Sequence, residues 1–393
     1  MLAFFPWLKL KKDSEELDLE KAKLIGFLRG KLPGKGKADT QNICDRIFEP
    51  YISSIIKSTQ EPTVKLEPIE ESTILLLKDK EIFQDFSEAE KNFLFSIAKI
   101  IAFSGISTRE YFSGSLGFYC NRGDFTFVIQ EFKEGAGAYT IETRRRNGTN
   151  KIYIPSEVFQ EIKPRYVNQG FFPVKLDITL IKSLLNAQEK LKDKEWSSYA
   201  DAIFHFNHAN TDNDQIAPHQ EIVLIVSAFE RILDCKSGKQ GEVVKKFLTI
   251  FNLKENLDIA KSIRIQDSKY KNTNKTLREI WMRDLYQLRS EYAHGKKSNP
   301  RPHIWKAHEH LLLGSYVLPL VVKLKLREYE FYQLTQEDIL DINTFERLAD
   351  ADLSTNLKEW NDIRLDCWFK LKLENAARES KDTDDADTNE QKL

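Results

Sequence analysis

From about residue 176 to residue 326, apolar residues recur at helical spacing almost without a break, and such a run fits few architectures besides a helical bundle. The densest stretch, 216–233, carries Ile222, Leu224, Ile225, Val226, Phe229, Ile232 and Leu233, which predicts a helix buried inside the bundle. Over 276–292, Leu277, Ile280, Trp281, Leu285 and Leu288 define one inward face, and 304–326 reads as another long apolar helix. The segments 178–192, 197–210 and 242–251 add shorter helices, while residues 254–275 are rich in Lys, Asn, Asp and Ser, and the middle of that stretch reads as loop.

The first half has a different texture. After a short extended start, Ser14 followed by Glu15, Glu16 and Asp18 looks like a capped, acid-rich first turn, and Leu17, Leu24, Ile25 and Leu28 follow it at helical spacing. A helix is therefore expected over 14–32, a second over 39–56 (Ile43, Ile47, Ile52, Ile56) and a third over 87–104 (Phe93, Ile97, Ile100, Ile101). Between the first two, Pro33-Gly34-Lys35-Gly36 is too short and misordered for a phosphate loop, and 59–68 reads as a linker or extended stretch. Residues 105–155 switch to β-type composition, with Phe125–Ile129 and Tyr139–Ile141 as strand material. Asn147-Gly148 is a type I′ hairpin signal, because both residues tolerate positive φ. The expected fold is mainly α with a small antiparallel β region. An α+β domain of unknown role covers 1–175, a helical bundle 176–328 and a small mixed appendage 329–374. The acidic, apolar-poor tail 375–393 is expected to be disordered.

Composition narrows the chemistry. A net charge of −1 over 393 residues argues against a general polycation, so any nucleic-acid contact must come from local patches. Four cysteines, far apart and without a CxxC pair, exclude a sequence-readable zinc site and a disulfide framework. The short apolar start runs into Lys9, Lys11 and Lys12, the reverse of a signal peptide, and no stretch approaches a membrane span; a soluble cytoplasmic protein is expected. All seven histidines fall within 205–310 without a recognised ligand spacing, so neither metal nor cofactor is expected.

One short stretch stands out. Arg289-Ser290-Glu291-Tyr292-Ala293-His294-Gly295 joins an always-charged fork of donors to a group that titrates near neutral pH, at the end of a helix. Five residues along a regular helix is a rotation of about 140°, so Arg289 and His294 do not share a face. They converge only if the helix end is distorted, or if two copies of the helix meet at a common cleft. The plainer alternative has Arg289 paired with Glu291 or the last carbonyls, and His294 capping the helix. Lys296, Lys297 and Arg301 follow at once, either lining an approach for RNA or forming a solvated loop. Arg144, Arg145 and Arg146 beside the expected hairpin are either a charged edge that discourages sheet pairing or a second phosphate-contacting patch.

Ala228-Phe229-Glu230-Arg231-Ile232-Leu233, a polar loop, and then Tyr286-Gln287-Leu288-Arg289-Ser290-Glu291-Tyr292-Ala293-His294-Gly295 resemble the HEPN superfamily, and its ApeA-like branch in particular, over about residues 180–330. The resemblance implies a four- or five-helix bundle that forms a homodimer. In active members it implies a metal-independent endoribonuclease working in bacterial anti-phage defence, abortive infection or toxin–antitoxin settings. Carried over, Arg289 and His294 are the catalytic pair and Glu230 a supporting residue. Ser290 stands where many members carry Asn, Asp or His; its hydroxyl can bond a phosphate or orient His294 but cannot act as an acid or base at pH 7. The implied partners are RNA, a second copy of the chain, and a phage-derived trigger or regulatory partner at residues 1–175. The competing expectation is a non-catalytic dimerisation or sensor module on the same bundle.

Overall fold

The computed structural model describes residues 1–10, 16–28, 38–56, 64–108, 120–131, 138–142, 151–155, 174–212, 216–253, 256–266, 268–294 and 303–351. These are mainly helical, with an antiparallel sheet, and they form two compact units.

The first unit is built on a seven-stranded sheet. Its strands are β1 (Leu2–Phe5), β2 (Glu16–Asp18), β3 (Ala22–Leu28), β6 (Glu71–Leu77), β7 (Val128–Glu131), β8 (Ala138–Glu142) and β9 (Lys151–Pro155). They lie in the order β2-β3-β6-β1-β7-β8-β9, each neighbouring pair antiparallel. A separate pair joins β4 (Ile52–Ile56) to β5 (Val64–Pro68). Strand β1 is apolar at every position because both of its faces are covered. Phe4 meets Phe48 of α1 (Ala38–Phe48) with ring centroids 4.9 Å apart. On the opposite face, Phe5 meets Phe127 at 4.9 Å, and Phe127 meets Phe95 of α2 (Glu88–Ser107) at 5.4 Å. The sheet thus carries a helix on each face.

Two expected elements are corrected here. The helix over 14–32 is not formed: the chain makes β2, a tight turn with Glu20 at φ 72°, and β3. Spacing of Leu17, Leu24, Ile25 and Leu28 fits either period, but pairing of β3 with β6 along its whole length decides for strand, leaving Leu28 exposed. The helix over 39–56 stops at Phe48, and 52–56 is a strand instead. Pro50 has no N–H to give and disfavours helical geometry at Glu49, so the stop is written in the sequence. The sheet also extends well beyond residues 105–155, drawing strands from 2 to 77. Strands β8 and β9 pair as a hairpin, and its tip with Asn147-Gly148 lies outside the described residues.

Helix α2 comes close to Phe125 at Gly105, where an added Cβ would overlap the phenyl ring. Gly105→Ala is therefore expected to destabilise the first unit by about 1–3 kcal/mol, read as a lower urea midpoint. An unchanged midpoint would mean that Phe125 turns aside freely. Helix α3 (Ile178–Lys190) also belongs to this unit rather than to the bundle. Asp177 at its start bonds Ser104 of α2 through its backbone (N to Oγ 2.7 Å), and Ser96 bonds Gln188 at 3.3 Å.

The second unit holds α4 (Asp193–Ala209), α5 (Pro218–Ile232), α6 (Gln240–Ile250), α7 (Leu277–His294), α8 (Ala307–Glu328) and α9 (Gln336–Asp350). Its core is aromatic. Trp281 of α7 lies 6.1 Å from Phe229, 6.0 Å from Phe247 and 5.1 Å from Phe345 by ring centroid, joining four helices. Helix α9 is bound further by the buried Arg278–Glu346 ion pair at 2.7 Å and by Trp305 Nε1, which donates to the Ala349 carbonyl at 2.7 Å. Residues 329–351 accordingly pack as part of this unit, while 352–393, including the acidic tail, lie outside the described residues. Among the described residues, no helix is long and apolar enough to cross a membrane.

Candidate functional site

Helix α7 runs unbroken to His294, and its last three turns present three different faces. One faces α5. There the Arg289 guanidinium lies 3.6 Å from Glu230 Oε2 and stacks its Cζ 5.5 Å from the centre of the Tyr286 ring. Tyr286 donates to Glu230 Oε1 at 3.2 Å and is also close to the carbonyl of Gly238, which reaches it from a left-handed turn (φ 58°). Burial, then the charge of Glu230, raises the Tyr286 pKa, so the phenol stays protonated and works as a donor. Arg289 Nε is buried without a hydrogen-bond partner, and the side chain is only 23% exposed. The guanidinium is therefore a fixed, partly desolvated charge, not a free surface arm.

His294 is the last helical residue and is exposed. With α7 regular to its end, it stands about 140° around the axis from Arg289, so the two do not converge within one chain. Ser290 is half-buried on the next position of the same helix. Gly295, Lys296, Lys297, Arg301 and the triple Arg144, Arg145 and Arg146 lie outside the described residues. The plainer pairing of Arg289 with Glu291 is not made. Glu291 is bonded instead to His303 and to Gln287.

That bond belongs to a cluster the sequence reading passed over. Asp284 and Glu291 are seven residues apart, which puts both carboxylates on one face of α7. His303, just before α8, is held between them: Nδ1 is 3.2 Å from Asp284 Oδ1 and Nε2 is 2.9 Å from Glu291 Oε2. Both ring nitrogens face carboxylates, an arrangement satisfied only by imidazolium, which donates twice. The hydrogen bond to Asp284, against burial and with help from Glu291, pushes the His303 pKa up to about 9. Asp284 Oδ2 also accepts from His310 Nε2 at 3.1 Å and from the amides of Ile304 and Trp305 at 3.0 and 3.3 Å. Burial would raise the Asp284 pKa, yet the bonds from His303 and His310 outweigh it and hold the carboxyl well below its usual range. His310 is wholly buried, and burial lowers its pKa, so it stays neutral with the proton on Nε2. Among the described residues, no three His, Cys, Asp or Glu side chains converge to hold a metal ion; these four alternate as donor and acceptor instead.

This cluster gives stability a pH dependence. His303 is raised from its ordinary 6.5 to about 9, so its contribution is complete below pH 6.5 and disappears as pH rises through 9. The shift corresponds to an order of 3 kcal/mol, counted once because the depression of Asp284 reports the same contacts. Urea unfolding of the native chain and of His303→Gln, compared at pH 6 and pH 10, should show the stability gap shrinking at the higher pH. A gap independent of pH would show that His303 is not charged in the folded state.

Compared with family models, curated proteins and solved structures, the chain matches none.

Proposed function

We propose that the second unit is a HEPN-type bundle and that the chain is a metal-independent endoribonuclease cleaving single-stranded RNA through the 2′-hydroxyl. The observation that carries this reading is the contact of Arg289 with Glu230 across α5 and α7. The family resemblance singled out both residues, and helical periodicity alone gives no reason for them to meet. A guanidinium already held by a carboxylate and a ring is positioned before RNA arrives, which is how charge developing on phosphoryl oxygens is best met. His294, exposed on another face, would take the proton from the 2′-hydroxyl or give one to the leaving 5′-oxygen. Because the pair is splayed about 140° on one regular helix, the reading requires a homodimer in which Arg289 of one copy and His294 of the other meet one phosphate. The product would be a 2′,3′-cyclic phosphate, in a cytoplasmic anti-phage, abortive-infection or toxin setting.

The same contact also favours a second reading, a non-catalytic dimerisation module, since a guanidinium neutralised by Glu230 makes a good structural ion pair. Incubation of the full chain with single-stranded RNA in EDTA separates the two. Fragments ending in a 2′,3′-cyclic phosphate, lost on His294→Ala, support the nuclease; a dimer that leaves RNA intact supports the module.

A further inference from the structure

The turn that leads into α8 is tied to both α7 and α9. Trp305 is fully buried and bonds α9 through the Ala349 carbonyl, while the amides of Ile304 and Trp305 both donate to Asp284 of α7. His303 projects from this anchored base. It grips α7 twice: at Asp284 in the buried part of the helix, and two turns later at Glu291, which is 25% exposed. Glu291 is three residues from the end of the helix.

Helix ends fray, because the last carbonyls have no partner within the helix. The last turn of α7 has few other ties among the described residues. Ala293 and His294 are exposed, and Tyr292, itself exposed, has its ring centroid 5.8 Å from that of His219. The Glu291–His303 bond is therefore the last strong restraint before His294. Rotation about the helix axis supports this, since His294 lies about 60° from the face carrying Glu291 and about 140° from Arg289. The contacts that fix Arg289 on the α5 side leave the direction of His294 open, while those on the His303 side set it. A positive imidazolium beside the last turn also complements the negative end of the helix dipole.

We propose that His303 is a positioning residue: clasped by Asp284 and Glu291, it holds the last turn of α7 in helical form and so fixes where His294 points. The catalytic consequence rests on the nuclease reading; the mechanical one stands without it. Glu291→Gln is the gentler test, because it keeps the side-chain length and a helix-forming residue while removing the charge that His303 bonds. His303→Gln is the second variant.

Amide hydrogen exchange on the full chain at pH 7 reads the mechanical part. Tyr292, Ala293 and His294 should exchange about ten-fold faster in either variant, while the amides of Ile225 to Phe229 in α5 keep their native rates. Unchanged rates at 292–294, or equal acceleration in α5 and α7, would overturn the proposal; should His303→Gln fail to fold, Glu291→Gln decides alone. RNA cleavage reads the catalytic part. A turnover number lower by about ten-fold with KM unchanged supports it, since a misdirected proton carrier slows the chemistry without weakening capture. Native turnover in a variant whose last turn exchanges faster would overturn that part. If the native chain cleaves no RNA, the nuclease reading fails, and the exchange rates alone decide whether His303 holds the helix end.

Discussion

On the nuclease proposed above, replacing His294 by alanine should lower RNA cleavage by about 10²- to 10⁴-fold, the range for loss of a positioned proton carrier. Stability should change by no more than about 0.5 kcal/mol, because the side chain is exposed at a helix end. That separation makes His294 a sharper probe than Arg289. Removing the guanidinium would leave Glu230 partly buried opposite Tyr286 without its cation, so lost activity in Arg289→Ala would mix chemistry with folding. The assay needs matched thermal unfolding of both proteins and EDTA throughout. Cleavage by His294→Ala at the native rate would remove the histidine from the mechanism and leave the bundle to the dimerisation reading.

Asp284→Ala should have the largest effect on folding, a loss of about 3–5 kcal/mol. The carboxylate is 8% exposed and accepts from two imidazoles and two backbone amides. Alanine would strand the Ile304 and Trp305 amides and leave His303 with Glu291 as its one carboxylate partner in the cluster. Asp284→Asn keeps the shape and one acceptor, so an intermediate loss of about 1.5–3 kcal/mol is expected, with the His303 pKa falling back toward its ordinary value. Urea denaturation supplies the free energies and histidine NMR titration the pKa. A loss below about 1 kcal/mol for the alanine variant would show that the cluster contributes little to holding α7 and α8 together.

How far the sequence could be read follows from which forces were local. In the second unit burial follows helical period, and α4 to α8 each overlap a helix expected from the sequence, with α4 starting four residues and α6 two residues earlier than expected, while α9 fell within a stretch read only as mixed. In the first unit the decisive contacts are between strands distant in sequence. Nothing near Leu24 or Phe27 announces that β6 will pair with them, and a capped, acid-rich start at Ser14 points the wrong way. Pro50 was a local stop signal for α1, yet the helix expected over 39–56 ran through it, carried by the helical spacing of Ile43, Ile47, Ile52 and Ile56. At the site, Arg289 and His294 were picked out by their chemistry at a helix end and then by resemblance, Glu230 by resemblance alone, and Arg289 lies beside Glu230. His303 could not be found that way. Its partners became visible only once the chain was seen to come back against α7, although the seven-residue spacing of Asp284 and Glu291 already put two carboxylates on one face.

Strand β1 has a consequence for how the protein comes to be made. It precedes the other strands of its sheet along the chain, yet it lies in the interior of the sheet, between β6 at 71–77 and β7 at 128–131. Leu2-Ala3-Phe4-Phe5 must therefore wait for some seventy residues before one edge is paired, and for well over a hundred before the second is. During that interval it is a short, uncharged, aromatic strand with open backbone groups, the kind of edge that recruits other chains. Folding of the first unit is thus set by its least local contacts, and its rate during synthesis should depend on how long this strand is kept from unwanted partners.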